Sequence, residues 1–393
     1  MKKKIVFDSF FNIIATAIPI IALQLVILPI IGLRLGQNEY GLVITFISIT
    51  TVFSIPFGNV LNNLRLLVED EYQENRIVGD FNYLLLVSLM INSILVIIIL
   101  FFMKNKIDII DFSLLLLMSG LNIIREYFLV SFRLELNYRK ILENNFYQAI
   151  GYLIGVLIFF IIPYWELIYI SGFLLSIYFI LKNSKLHKES LSKTIYFKST
   201  LKKSVVLFIS TFLKTFITYA DRLLLFPLLG ATAVSIYYSS SVVGKILGMA
   251  IMPISGVLLS YLRNSKELSN KKFFKMCGIL IIISIIGYFI INWVSIPVLK
   301  ILYPKWYLES QKLISINTAT ALIITMTSII HPFILKFRDI KWQMIINIVN
   351  LISYMLFIYI FYYYFGLLGF CVGILLSNFL KLLLMVYIYT CKK

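Results

Sequence analysis

FLKTFITYADRLLLF, residues Phe212 to Phe226, is apolar enough to cross a bilayer yet carries Lys214, Asp221 and Arg222. About 20 such residues cover the roughly 30 Å of hydrocarbon, and a charge placed inside is costly unless it faces a bundle interior or a hydrated path. The rest of the chain repeats this apolar character. Of 393 residues, 60% are hydrophobic and only 14% charged, whereas soluble domains are about half apolar and about a quarter charged. The chain reads as a polytopic membrane protein. The apolar stretch after MKKK is longer than a signal-peptide core and has no small-residue cleavage site before the next polar turn, so it is expected to stay as a helix.

Windows of spanning length predict twelve helices, at about 9–33, 41–64, 81–103, 108–131, 146–163, 165–182, 204–226, 231–261, 276–299, 310–335, 342–364 and 366–389. The net charge of +18 sits in short loops rather than on a folded basic face, which excludes a nucleic-acid partner. With the N-terminus inside, basic residues on inner and outer loops stand at about four to one, a positive-inside asymmetry that predicts both termini in the cytoplasm. Aromatic groups such as Tyr303, Trp306 and Tyr307, and FYYYF at 361–365, fall at the outer interface, where amphipathic rings settle.

The spans divide evenly at LKNSKLHKESLSKTIYFKSTLKKS, 181–204, the longest polar connection. That places a six-helix lobe at 1–182, a basic cytoplasmic linker at 183–203 and a second six-helix lobe at 204–393. The halves share punctuation. Gly36 in LRLGQNEYG pairs with Gly230 in PLLGATAVS, and Gly172 in ISGFLLS pairs with Gly373 in CVGILLS. An even number of spans per half makes this a parallel repeat, related by a pseudo-twofold axis along the membrane normal, as in transporters that bind substrate between their halves.

GLRLGQNEYGL after the first span, YADRLLLFPLLGATAVSIYYSSSVVGKI at the seventh and eighth, and YYFGLLGFCVGILLSN at the last resemble the polysaccharide transporter family of the MATE-like (MOP) flippase superfamily. That family includes the Wzx-type O-antigen and capsule flippases. The resemblance implies an all-α, twelve-helix, two-lobed MATE-like fold with a central cavity, sited in a bacterial cytoplasmic membrane. It further implies a monomeric transporter, not an enzyme, that needs no cofactor and moves undecaprenyl-diphosphate-linked oligosaccharide from the inner to the outer leaflet. Membrane lipids, a polysaccharide polymerase and chain-length regulator proteins are the implied partners. A serine run, Ser239 to Ser241, stands where that family is usually aliphatic.

Depth selects the candidate site residues. Lys214 lies near the middle of span seven, and Lys245 about fourteen residues into span eight, so the two are expected at similar depth. A lysine stem is too short to reach water from there. Two cations would repel in a dry core, so both are expected to line a wet cavity that receives an anion. Ser210, Lys214, Thr218 and Asp221 follow one helical stripe. Asp221 either holds Lys214 or Arg222 in place or forms an ordinary interfacial ion pair. Gly244 and Gly248 around Lys245 form GxxxG, a pattern that permits close helix approach. Lys381 steps from Gly373 and Ser377 at i+4 and either lines the cavity or snorkels inward. Arg125 and Glu126 form a structural pair or supply a second cationic contact. In the first lobe Gln24 and Asn59, with Asn12, Thr16, Asn62 and Asn63, offer amides and hydroxyls for sugars, though such groups also join helices. Pro19, Pro29 and Pro56 are expected to bend the first two spans.

No P-loop is present, so ATP hydrolysis by this chain is not expected. Cys277, Cys371, Cys391, His187 and His331 have no metal or catalytic spacing. Two rival readings are a membrane-embedded polymerase or glycosyltransferase, which needs a larger outer domain, and a cation-coupled multidrug exporter. The exporter usually relies on a carboxylate in the first lobe, where Asp8 only borders the first span.

Overall fold

The computed structural model describes residues 17–75, 77–262 and 269–391. Asp8, Asn12 and Thr16 lie outside them. The described chain is helical throughout its spans, and ten continuous helical stretches are long and apolar enough to cross a membrane. Two of these are double. The 66-residue helix Phe197–Leu262 is interrupted at Gly230 (φ 80°, ψ 179°) and the 52-residue helix Ile340–Cys391 at Gly366 (φ 56°, ψ −132°). Both dihedrals lie outside the helical basin in a region that glycine alone tolerates well. Twelve spans result: α1 (Ala17–Leu35), α2 (Gln37–Glu74), α3 (Phe81–Phe102), α4 (Ile109–Leu134), α5 (Tyr138–Ile161), α6 (Glu166–Asn183), α7 (197–229), α8 (231–262), α9 (Asn270–Leu302), α10 (Tyr307–Phe337), α11 (340–365) and α12 (367–391).

The expected boundaries hold within a few residues except where polar sequence continues a helix. α2 runs ten residues past the apolar window because Arg65 and Gln73 both bond Glu69 at i,i+4 spacing, which supports a helix in water. α5 starts eight residues early, where Asn137 accepts from the Lys140 amide and caps the helix. α1 contains a π-helical turn, Ala22–Ile27, closed by the Leu28 amide on the Leu23 carbonyl. Pro29 explains it: the ring would clash with the Leu25 carbonyl and offers no N–H to it, so the turn before it widens.

Packing groups the chain into two compact units, neither of them contiguous. Of the described residues, one comprises those up to Leu28 together with Val43–Leu223, and the other Pro29–Leu42 together with those from Leu224 onward. The sequence-based division at 183–203 follows the membrane topology, whereas close packing assigns most of α7 to the first unit and the α1–α2 turn to the second. Contacts account for the turn. The Gln37 carbonyl accepts from Ser235, Gln37 donates to Glu309 at 2.7 Å, and Lys305 donates to the Leu33 carbonyl at 2.8 Å. Tyr40 is fully buried among Tyr238, Tyr303 and Trp306, with its hydroxyl 2.8 Å from that of Tyr303. Gly41 lies so close to the Ala231 carbonyl that a Cβ would overlap it.

The paired glycines of the repeat behave alike. Gly36 (φ 87°) and Gly230 (φ 80°) are both left-handed turn residues with open space around them. Gly172 on α6 lies against Tyr152 of α5, and Gly373 on α12 lies against Phe357 and Ile358 of α11. Each pair of successive antiparallel helices is thus pressed together at the same repeat position. The apolar window of α2 is 78% buried and that of α9 only 11%, so α2 is covered by packing along most of its span and α9 leaves its isoleucines exposed.

The linker is not a free strap. In the first unit, Leu186, Tyr196 and Phe197 pack on the core of Leu64, Tyr72, Phe81 and Tyr127. Asp80 accepts from Tyr72, from the Thr194 amide and from the Thr194 hydroxyl, while Asn82 donates to the Leu186 and Glu189 carbonyls. In the second unit, Phe273 stacks on Tyr389 at 3.8 Å, and Arg338 donates to the carbonyls of Ile388 and Tyr389 at the end of α12. A cation there satisfies carbonyls that the helix itself leaves open.

Candidate functional site

Lys214 and Lys245 sit on α7 and α8, sixteen and fifteen residues from Gly230, about 23 Å along each helix at 1.5 Å per residue. Lys214 is exposed and makes no ion pair with any described residue. Ser210 and Thr218, one turn to either side, are exposed with it, and the Thr218 hydroxyl donates to the Lys214 carbonyl. The expected polar stripe therefore exists over these three residues. Asp221 leaves it: the side chain is buried and accepts from the Arg222 amide at 2.9 Å, with the guanidinium Nε 3.7 Å away. Of the two cations open to Asp221 in the sequence, the structure pairs it with Arg222. Arg222 also covers the ring of Tyr219 at 4.9 Å.

Lys245 belongs to the second unit and rests on aromatic faces. Its ammonium nitrogen lies 4.3 Å from the centroid of Tyr238 and 5.3 Å from that of Tyr237, seven and eight residues earlier on the same helix. Both rings are buried. Tyr237 is held edge-on by Phe370 of α12, and Tyr238 by Tyr40. A ring face attracts an ammonium without neutralising it. The GxxxG expectation holds on one side only: a Cβ at Gly244 would press on Ala321 of α10, whereas Gly248 faces open space.

The serine run earns its place by joining α8 to α10. Ser239 bonds Ser310 at 2.7 Å and accepts from the Trp306 indole, and Ser240 accepts from Asn317 at 2.6 Å. Hydroxyls here supply directional bonds between the two helices beside the lysine cradle.

Arg125 is buried in a polar knot of the first unit. Its guanidinium pairs with Glu126, donates to Ser176 at 3.2 Å and to Asn145 at 3.1 Å, and so ties α4 to α5 and α6. These contacts are the ones that a structural pair makes. Asn62 likewise joins helices, donating to the Glu126 carbonyl and accepting from Arg133. Gln24 is buried within the π-helical turn, and Asn59 is half-buried on α2. Lys381 is half-buried on α12 and makes no ion pair with a described residue.

Glu166 escaped the sequence reading. It opens α6, where an acid passes for an ordinary first-turn residue, yet it is completely buried and neither carboxylate oxygen has a hydrogen-bond partner among the described residues. Only tertiary packing reveals this. The Tyr237 and Tyr238 cradle was equally unmarked, since tyrosines in a span ordinarily read as interface residues.

No family model matches the chain, and no curated protein matches it by sequence. Solved structures do. The lipid II flippase MurJ in an inward closed conformation superposes with a TM-score of 0.70 at 15% identity, covering 97% of this chain and 86% of MurJ. An inward-facing multidrug resistance MATE family transporter of the MOP superfamily gives 0.62 at 13% identity, over 95% of this chain and 96% of that one. The eukaryotic MATE transporter AtDTX14 gives 0.62 at 14% identity, over 98% and 94%. The chain is an all-helical, multi-pass membrane protein with the fold of the MOP-superfamily transporters.

Proposed function

We propose that this chain is a flippase that carries a lipid-linked oligosaccharide, with an anionic diphosphate or acidic-sugar head, across the membrane. In this reading the substrate is an undecaprenyl-diphosphate-linked repeat unit of an O-antigen or capsule, moved from the cytoplasmic to the outer leaflet of a bacterial cytoplasmic membrane. Polymerase and chain-length regulator proteins would act on the delivered unit.

The observation that carries the reading is Lys214: an exposed ammonium in mid-helix, flanked by Ser210 and Thr218, with no described carboxylate to neutralise it. Leaving an isolated ion in hydrocarbon costs many kcal/mol, so a hydrated, anion-receiving surface is the economical setting. Lys245, on its tyrosine rings in the second unit, supplies a second positive centre. The likeness in fold to a lipid II flippase favours a lipid-linked head group over a small soluble solute. Lobes of such a fold alternate the exposure of a midplane site, and the lipid tail would remain in the bilayer.

The test is export of surface polysaccharide in cells carrying Lys214→Ala with Lys245→Ala, with membrane content of the protein measured in parallel. Loss of export at normal protein level, recovered by Lys→Arg at both positions, supports the reading. Normal export by the double alanine variant overturns it.

A second reading has its own observation. Glu166 is a buried carboxylate with no hydrogen-bond donor among the described residues, and a buried carboxylate in that position calls for a proton or a cation. This favours cation coupling, either of the flippase or of a multidrug exporter of the same fold. Transport by Glu166→Gln that no longer responds to an imposed ion gradient would place the coupling there.

A further inference from the structure

The linker between α6 and α7 has two faces with different chemistry. Its inward face is spent on the first unit. Glu189, the one acid between Leu181 and Lys203, makes two bonds to Arg65, at 2.7 and 2.8 Å. Thr194 is bound to Asp80, and Thr200 lies 2.8 Å from the Tyr72 hydroxyl. The Asp80 amide donates to the Ser192 carbonyl at 2.8 Å. These anchors hold the segment against the ends of α2 and α3, so it cannot swing away.

What remains outward is basic and apolar together. Lys185, Lys188, Lys193, Lys198 and Lys202 are exposed, and none makes an ion pair with a described residue. Between them Leu191 is 64% and Ile195 83% exposed. Lys193 lies over the rings of Tyr83 and Phe197, at 4.6 and 5.1 Å, in the first turns of α3 and α7. That fixes the segment at the height where spans enter the membrane.

We propose that this strap is a docking surface for anionic phospholipid head groups, with its lysines at the phosphate level and Leu191 and Ile195 dipping into the interface. The pattern fits that occupant better than an acidic protein. A segment pinned between two span ends has the bilayer beside it, and interleaved aliphatic and lysine residues match a surface that is apolar a few ångströms below its charges. With Glu189 committed to Arg65, no acid on the segment opposes the field. The inference is independent of what the protein transports.

The full chain in detergent would be titrated with phosphatidylglycerol and, separately, phosphatidylcholine, and compared with a variant carrying glutamine at the five exposed lysines. Each lysine near an anionic surface is worth about fivefold in binding, so the variant should lose its preference for phosphatidylglycerol by at least about tenfold, and salt should weaken the wild type alone. Equal affinity of both proteins overturns the proposal. So does displacement of the lipid by inorganic phosphate at equal concentration, which would assign the surface to a soluble anion. Because the lysine variant could fold poorly, a second measurement places an environment-sensitive dye at Ile195→Cys in vesicles of mixed phosphatidylcholine and phosphatidylglycerol. Quenching by lipid-borne nitroxide supports the proposal, and quenching by aqueous iodide alone overturns it.

Discussion

Ser176 and Ser377, 201 positions apart, do the same work in the two halves: the Ser176 hydroxyl meets Asn144 Oδ1 at 2.9 Å and the Ser377 hydroxyl meets Asn350 Oδ1 at 3.4 Å. Each serine is fully buried near the middle of the last helix of its half, and each asparagine lies on the helix before it. The bond closes the α5–α6 pair and the α11–α12 pair below the glycine contacts of Gly172 and Gly373. Two short sequences that share a glycine, two leucines and this serine are thereby shown to share a side-chain bond.

The equivalence is not complete, and the difference predicts unequal costs. Ser176 also accepts from Arg125, whereas Ser377 receives no charged donor among the described residues. Ser377→Ala should cost about 0.6 kcal/mol, the usual value for a hydrogen bond between membrane helices. Ser176→Ala should cost about 2 kcal/mol because it strips a partner from a buried guanidinium. Unfolding midpoints of both variants in one detergent would check the order, and equal midpoints would show that Arg125 finds compensation elsewhere.

Lys245 lies over the faces of two tyrosine rings. Tyr238→Phe should therefore leave transport near wild type. Tyr238→Leu removes a contact worth about 0.5 to 2 kcal/mol and should lower transport several-fold at unchanged protein level. Export rates of the two variants measured side by side decide this, and a Phe variant as impaired as Leu would shift the role to the hydroxyl.

Arg338 caps the last turn of α12 and lies 4.8 Å over the Tyr389 ring. Arg338→Ala should destabilise the protein by about 1 to 2 kcal/mol through lost carbonyl bonds and dipole interaction. Arg338→Lys should recover part of this, since a single ammonium cannot reproduce the fork of donors. A lowered thermal midpoint with unchanged transport per folded molecule is expected.

Asp108 caps α4, taking a bond from the Asp111 amide, while the Tyr164 hydroxyl of the α5–α6 loop donates to it at 3.2 Å. The backbone bond from Asp111 is the main reason the carboxyl lies below its ordinary value, and the Tyr164 bond acts in the same direction. The folded group holds its proton less tightly than the unfolded one. Its contribution to stability is therefore complete above the usual carboxylate range of about 4 and fades as pH falls through the lower folded value. Asp108→Asn should lower stability at neutral pH, where the contribution is complete, and converge with the wild type in acid, so that the acid limb of a profile recorded from neutral pH downward is flattened. An unchanged acid limb would show that the loop contact is not linked to unfolding.

Much of the architecture was legible in the linear chain. Apolar windows of spanning length located all twelve helices, because the bilayer allows little besides a helix that satisfies its own backbone. Gly36 and Gly230 announced their turns because left-handed dihedrals favour residues without a Cβ. Helix ends were less legible where polar residues continued a span, as Arg65 and Glu69 do in α2, since hydropathy ends before hydrogen bonding does.

Composition and period by themselves determined that the chain spans a membrane, how many times, and which helices carry charges that hydrocarbon would not tolerate. Tertiary structure alone decided what each charge meets. Asp221 turned to Arg222 rather than Lys214, Arg125 was absorbed into a knot with Asn145 and Ser176, Lys245 came to rest on two tyrosines, and Glu166 was sealed without a donor among the described residues. The reason is physical: insertion depends on the summed transfer free energy of a segment, which the sequence contains, whereas the state of one charge depends on neighbours a few ångströms away that folding brings from distant parts of the chain.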